Sequence, residues 1–181
     1  MNLTEDYIQK LVKAFDYEKA LTEIISVYHE PLYWLIRKLV ISHEDTNDVL
    51  QNTYLRIYKG LSNFRFQSTI KTWCYRIAYN ESMRHLEQMK KGELLFKNGE
   101  LPDYLIQLCA DPFFDDQQAD FQFQRLLVML TEEQRVIFSM RYYDELKFTE
   151  IANITGRNIN SIKTIYYSSK KLLIDQLKES L

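Results

Sequence analysis

The stretch HEDTNDVLQNTYLRIYKGLSNFRFQSTIKTWCYRIAYNESMRHLEQMKK, residues 43–91, decides how the rest of the chain is read. It holds two helical patterns joined by a short break at residues 63–68. In the first, Val49, Leu50, Tyr54, Ile57, Tyr58 and Leu61 recur at spacings of three and four, which marks one buried helix face. The opposite face carries Glu44, Asp48, Gln51, Asn52, Leu55 and Lys59. Asp48, Gln51, Asn52 and Leu55 form one stripe at helical spacing, so a single partner can grip all four. The second pattern, residues 69–90, interleaves Trp73, Tyr75 and Tyr79 with Lys71, Arg76, Asn80, Arg84 and His85.

Upstream, residues 3–15 predict an amphipathic helix capped by Thr4, with Ile8, Leu11, Val12 and Phe15 on one side. A second helix is expected over residues 18–40, with Ala20, Leu21, Ile24, Ile25, Tyr28, Leu32, Leu35, Ile36 and Leu39 turned inwards. Pro31 should kink it or divide it. Ser42 then caps the next helix, with Asp45 third after it. Together with the pattern over 69–90, these helices form a first domain, residues 1–91. Residues 92–115 break the periodicity with Gly92, Gly99, Pro102 and Pro112, and read as a linker with a short helix around 103–108. Its length exceeds ordinary connections inside a domain.

The second domain covers residues 116–181. A helix over 118–130 carries Phe121, Phe123, Leu126, Leu127 and Leu130, and Thr131 with Gln134 makes a capping box for the next. That helix holds Val136, Ile137, Phe138, Met140 and Tyr143. Residues 148–173 follow a helix-turn-helix pattern. Ala152 is small where two helices cross, and Gly156 stands at the turn, where a left-handed backbone is cheap only for glycine. Ile151, Ile162 and Ile165 lock the pair, leaving Asn160, Ser161, Lys163, Thr164, Tyr167, Lys170 and Lys171 outward. Such a helix can enter a major groove, with its first turns on base edges and its lysines on phosphates. A plain helical hairpin is the alternative.

Composition agrees with an all-α protein of two small helical domains joined by an acidic linker. Only 4 Gly and 3 Pro in 181 residues argue against a turn-rich β-sandwich or barrel. No apolar run is long enough to span a membrane, and the N-terminus lacks the basic and apolar regions of a signal peptide. A cytoplasmic location is therefore expected. The two cysteines, Cys74 and Cys109, are too few for a disulfide framework and do not form a C-x-x-C motif. Cys74 reads as a small buried residue. The net charge of −2 hides a strong division. Residues 69–91 have five basic against two acidic side chains, and residues 157–178 five against one. Residues 92–120 have one basic against seven acidic, a net of −6. Two basic segments flanking an acidic one suit nucleic-acid binding, although charge runs are also ordinary solvated faces. His29, His43 and His85 are scattered, and neither a phosphate-binding glycine loop nor a metal constellation appears. No catalytic residue, metal site or cofactor is expected.

The D-x-x-Q core at Asp48–Gln51 and the W-x-x-R-I-A-x-N core at Trp73–Asn80 resemble region two of the extracytoplasmic-function (ECF) group of the sigma-70 family. Order and separation agree together; Thr46, Cys74 and Tyr79 depart from the usual Ala, Leu and Arg. Residues 130–173 are similar to region four of the same family, with Glu150-Ile151-Ala152 and Ser161-Ile162-Lys163-Thr164 matching well. Ile165 and Ser168 stand where the family often has arginines, and Arg157 where it often has an apolar residue.

The resemblance implies a transcription initiation factor that binds core RNA polymerase, brings it to promoter DNA and helps open the duplex. Asp48, Gln51, Asn52 and Leu55 would then bind a polymerase helical clamp. Phe64, Arg65, Phe66, Gln67 and Ser68 form a loop whose exposed aromatic and polar groups could hold a flipped base. With Lys71, Arg76, Asn80 and Arg84 they would contact the −10 element. Trp73, Tyr75 and Tyr79 are either stacking platforms or core. Asn160, Ser161, Lys163, Thr164, Tyr167, Lys170 and Lys171 would contact the −35 element. The acidic linker would run through polymerase channels built for RNA, or serve as a solvated tether. An anti-sigma factor is a further candidate partner, and no membrane insertion is expected. The rival is a stand-alone helix-turn-helix regulator, which explains the second domain but not the two motifs of the first.

Overall fold

The computed structural model describes residues 3–40, 42–93, 127 and 130–179. Among these residues there are seven helices and no strand, which agrees with the all-α reading. The chain divides into two units, one built mainly from residues 1–89 and the other mainly from residues 90–181.

The first unit contains α1 (Leu3–Lys13), α2 (Tyr17–Val40), α3 (His43–Leu61) and α4 (Ile70–Glu93). Its core is the apolar stripes meeting: Ile8, Ile24, Leu32, Ile36, Ile57 and Ile70 are all completely buried. Two expectations for α1 are corrected. Thr4 lies within the helix rather than at its cap. Phe15 lies beyond the helix end and is 77% exposed, not on the buried side. The cause is the helix stop. The Phe15 amide donates to the Val12 carbonyl and the Asp16 amide to the Leu11 carbonyl, at 3.1 and 3.0 Å. This Schellman pattern requires a left-handed residue between, and Phe15 takes that role with φ of 61°. Nor does Pro31 divide α2, which runs through it as one 24-residue helix. One lost donor is outweighed by Tyr28, Leu32 and Leu35, which are buried around it.

Ser42 caps α3 as expected, its hydroxyl accepting from the Asp45 amide at 3.3 Å. The first amide of α4, at Ile70, donates to the carboxylate of Glu5 on α1. Cys74 is fully buried, and its burial pushes the thiol pKa up, so it is inert packing.

The second unit contains α5 (Glu132–Tyr142), α6 (Phe148–Thr155) and α7 (Ile159–Glu179). The Thr131 capping box closes reciprocally: the Gln134 amide donates to Thr131 Oγ1 at 3.3 Å, and the Thr131 amide to Gln134 Oε1 at 3.1 Å. Helix α5 packs on α7. Leu127, Leu130, Phe138 and Leu173 form the core there, edged by Tyr143, Tyr166 and Leu177. Helix α4 continues to Glu93, so Gly92 is helical. The rest of the linker over 92–115, Cys109 included, lies outside the described residues, as does the helix over 118–130 apart from Leu127 and Leu130. No helix among the described residues is long and apolar enough to cross a membrane.

Candidate functional site

Three surfaces follow from this packing. The first is on α3. Its buried face is Thr46, Val49, Leu50, Thr53, Ile57 and Leu61. The two threonines were not expected there. They are tolerated because each hydroxyl donates to a carbonyl one turn back: Thr46 to Ser42 at 2.6 Å and Thr53 to Val49 at 2.8 Å. With that face committed, Asp48, Gln51, Asn52 and Leu55 all stand exposed, as their spacing predicted. Leu55 is 58% exposed, unusual for an apolar side chain on an otherwise polar stripe.

Tyr58, expected in the core, is 42% exposed. It turns instead towards a groove of about 470 Å³ shared with Glu18, Leu21, Gln51, Tyr54 and Leu55. Tyr54 is only half-buried; its hydroxyl pairs with His29 Nδ1 at 2.9 Å, and burial pushes its pKa up to about 12. On the other side of Leu55 a charged groove of about 440 Å³ carries Arg56, Lys59, Glu81 and Arg84. Arg56 of α3 pairs with Glu81 of α4, and Arg84 lies 3.8 Å from the same carboxylate. The stripe thus has an apolar centre and a polar rim, the composition of a protein interface.

The second surface is the break between α3 and α4. Phe64 was expected to be exposed and is 9% exposed. Its ring lies 5.0 Å from Trp73 and 4.9 Å from Phe66, measured between centroids. Trp73 is half-buried and seats on Gly60, where an added Cβ would lie 2.9 Å from the indole. The sequence signal for this contact was an isolated glycine inside a helical pattern, a costly choice that points to a packing reason. Tyr75 is 1% exposed, so it is core and not a stacking platform, while Tyr79 is half-buried. Arg65, Phe66 and Gln67 are exposed and Ser68 is half-buried. Along α4, Arg76, Asn80 and Arg84 are exposed at spacings of four, on one stripe. Lys71 is half-buried, its ammonium 5.5 Å from the Tyr75 ring centre. His85 is half-buried and lies 3.7 Å from Asp45.

The third surface is the outer face of α7. Gly156 ends α6 with φ of 71°, the left-handed turn its identity predicted. Ile151 and Ile162 are completely buried, Ala152 is 8% exposed at the crossing, and Ile165 is half-buried. All seven predicted contact residues, Asn160, Ser161, Lys163, Thr164, Tyr167, Lys170 and Lys171, are exposed. Asn158 caps α7, its Oδ1 accepting from the Asn160 amide at 2.8 Å. Arg157 pairs with Glu133 in the first turn of α5, which explains a cation in place of an apolar residue at the turn.

Comparison with known proteins identifies the family of both units. Residues 24–91 match the family model for sigma-70 region 2, and residues 120–173 that for sigma-70 region 4. The RNA polymerase sigma factor SigV of Bacillus subtilis is 28% identical over 162 residues, covering 89% of this chain and 93% of SigV. The ECF RNA polymerase sigma factor SigW of the same organism is 24% identical over 178 residues, covering 94% of this chain and 95% of SigW. Among solved structures, the sigma factor RpoE of Bartonella quintana, in complex with the anti-sigma factor NepR, superposes with a TM-score of 0.72. It is 18% identical, over 88% of this chain and 98% of RpoE. CnrH, in complex with the cytosolic domain of CnrY, gives 0.68 at 15% identity, over 96% and 99% of the two chains. With both regions matched in order and relatives of the same length throughout, this chain belongs to the ECF group of the sigma-70 family and is an RNA polymerase sigma factor.

Proposed function

We propose the following division of labour for this sigma factor. Residues 1–91 bind core RNA polymerase and the −10 element, residues 92–115 link, and residues 116–181 bind the −35 element. The clamp of the polymerase is gripped by Asp48, Gln51, Asn52 and Leu55. Leu55 supplies the apolar centre, and the carboxylate and amides meet a basic partner. The unpaired −10 base is held at Arg65, Phe66, Gln67 and Ser68, with Phe64 as the floor beneath them. Lys71, Arg76, Asn80 and Arg84 continue that surface along α4. Helix α7 reads duplex DNA, with Asn160, Ser161, Thr164 and Tyr167 towards bases and Lys163, Lys170 and Lys171 towards phosphates. The chain acts as an initiation factor in the cytoplasm and not as an enzyme. The structurally similar RpoE carries an anti-sigma partner, and an anti-sigma factor is proposed for this chain too.

The observation that carries this reading is the exposure of Asp48, Gln51, Asn52 and Leu55 on one stripe while the opposite face of α3, from Thr46 to Leu61, is committed to the core. A stand-alone helix-turn-helix regulator has no use for it. The test is transcription in vitro with core polymerase on a genomic DNA library, with start sites mapped. Starts that share an upstream motif are expected only when the chain is present. Failure of the chain to co-purify with core polymerase would favour the regulator.

A further inference from the structure

The family match over the first unit begins at residue 24, so α1 lies outside it. We propose that α1 is a brace that sets the shape of the 64–68 loop before DNA arrives, with Glu5 and Lys13 as positioning residues. The proposal rests on the reading of that loop as the −10 contact.

Glu5 is a hub. Its carboxylate accepts from the Tyr28 hydroxyl at 2.9 Å, from the Gln9 amide at 3.5 Å and from the backbone amide of Ile70. The last is an amide that no carbonyl of α4 can reach, because it opens the helix. A carboxylate there is also favoured by the helix dipole. Thr69 caps α4 by accepting from the Thr72 amide at 3.0 Å, and Glu5 ties that start to α1 through the Ile70 amide, immediately after the loop. Lys13 acts two turns further along α1. Its ammonium sits 5.1 Å from the centre of the Phe66 ring. Phe66 has φ of 56°, a left-handed conformation that an aromatic residue keeps only when its surroundings hold it. The surroundings are a column: Phe66 on Phe64, Phe64 on Trp73, Trp73 on Gly60. Lys13 closes the open end of that column. One helix thus holds the ring at the centre of the loop and the helix start that follows it.

The test uses the full chain with core polymerase on a promoter mapped as above, and on copies with single substitutions in the −10 element. Opening is read by permanganate reactivity of unpaired thymines, and closed-complex affinity is measured alongside. Lys13→Ala should lower opening by about two- to five-fold, the size of an exposed cation–π contact, and should blunt discrimination between −10 sequences. Lys13→Arg should restore both. In a Phe66→Ala background, Lys13→Ala should have no further effect. Glu5→Gln should shift opening in the same direction without changing closed-complex affinity; should that variant unfold, the exposed Lys13 series decides. An equal loss from Lys13→Ala with or without Phe66, accompanied by a salt slope shallower by about 0.9, would mean that Lys13 touches phosphate, and the brace would be wrong. Arg65→Ala and Asn80→Ala separate the two readings. If they impair opening while the Lys13 and Glu5 variants do not, the brace alone fails. If they leave opening intact, the assignment of the loop fails and takes the brace with it.

Discussion

The 64–68 loop and the outer face of α7 are assigned the same kind of task, contact with promoter DNA, and they are built in opposite ways. On α7 all seven proposed contact residues are exposed on one regular helix. In the loop the outermost ring, Phe66, rests on a buried one, Phe64, which rests on Trp73 and so on α3. Duplex DNA offers a ready groove of the right width for a helix, so a helix needs only a suitable outer face. An unstacked base offers no such track. A site for it must be shaped from within, because the loop has no regular backbone hydrogen bonding to hold its form. Under the proposed assignment, the loop would depend on residues such as Phe64 and Trp73 that lie beneath its surface, whereas α7 would depend chiefly on its outermost side chains.

Deleting an aromatic in each region should break the comparison most sharply. Phe64→Ala should destabilise the first unit by about 3–5 kcal/mol, as for a large side chain removed from a core. Tyr167→Ala on α7, 58% exposed, should stay within about 0.5 kcal/mol of the native chain. Denaturant unfolding of the full chain measures both, and equal losses would erase the distinction. Next in size is Asp48→Arg on the exposed stripe of α3. It should weaken core polymerase binding by about 2 kcal/mol or more, as like charges meet, with helical content unchanged. Unaltered affinity would remove that face from the interface. Gly156→Val should cost the second unit about 1–3 kcal/mol. A Cβ there meets nothing within 4 Å, so the cost starts from the left-handed backbone and not from a clash at Cβ. The first unit should melt as before.

The smallest expected effect tests whether α7 is short of phosphate contacts. Ser168 is exposed and spends its hydroxyl on the Ile165 carbonyl at 2.9 Å. Ser168→Arg should steepen the slope of log K against log salt by about 0.9 on duplex DNA. Ile165→Arg is a poorer probe, because Ile165 is half-buried. A steep slope in the native chain would mean that Lys163, Lys170 and Lys171 already suffice.

Much of this molecule was legible in sequence because its signals are local. The three- and four-residue spacing that placed Asp48, Gln51, Asn52 and Leu55 outside needs only the helix. The same is true of the Ser42 and Thr131 caps and of Gly156, whose left-handed turn follows from having no side chain. The outward face of α7 followed from burying Ile162. Where the reading failed, the missing information lay across the fold. Tyr58 and Tyr75 have equal claims to burial by composition, and only the partners available to each leave one 42% and the other 1% exposed. Phe64 lies in a short break between helices, and Trp73, folding back from α4, takes it out of solvent.

Local pattern therefore accounts for the described helices, the Ser42 and Thr131 caps, the helix-turn-helix and the outer stripes of α3 and α7, together with the family whose motifs they carry. Packing across the fold, by contrast, made Thr46 and Thr53 core and brought Glu5 to Ile70 across 65 residues. It also decided that Arg56 and Arg84 share Glu81. The physical reason is range. Helix periodicity and capping are set by neighbours within about one turn. Burial of a loop ring or the pairing of a carboxylate depends on which distant side chain arrives at contact distance, and no local pattern records that arrival.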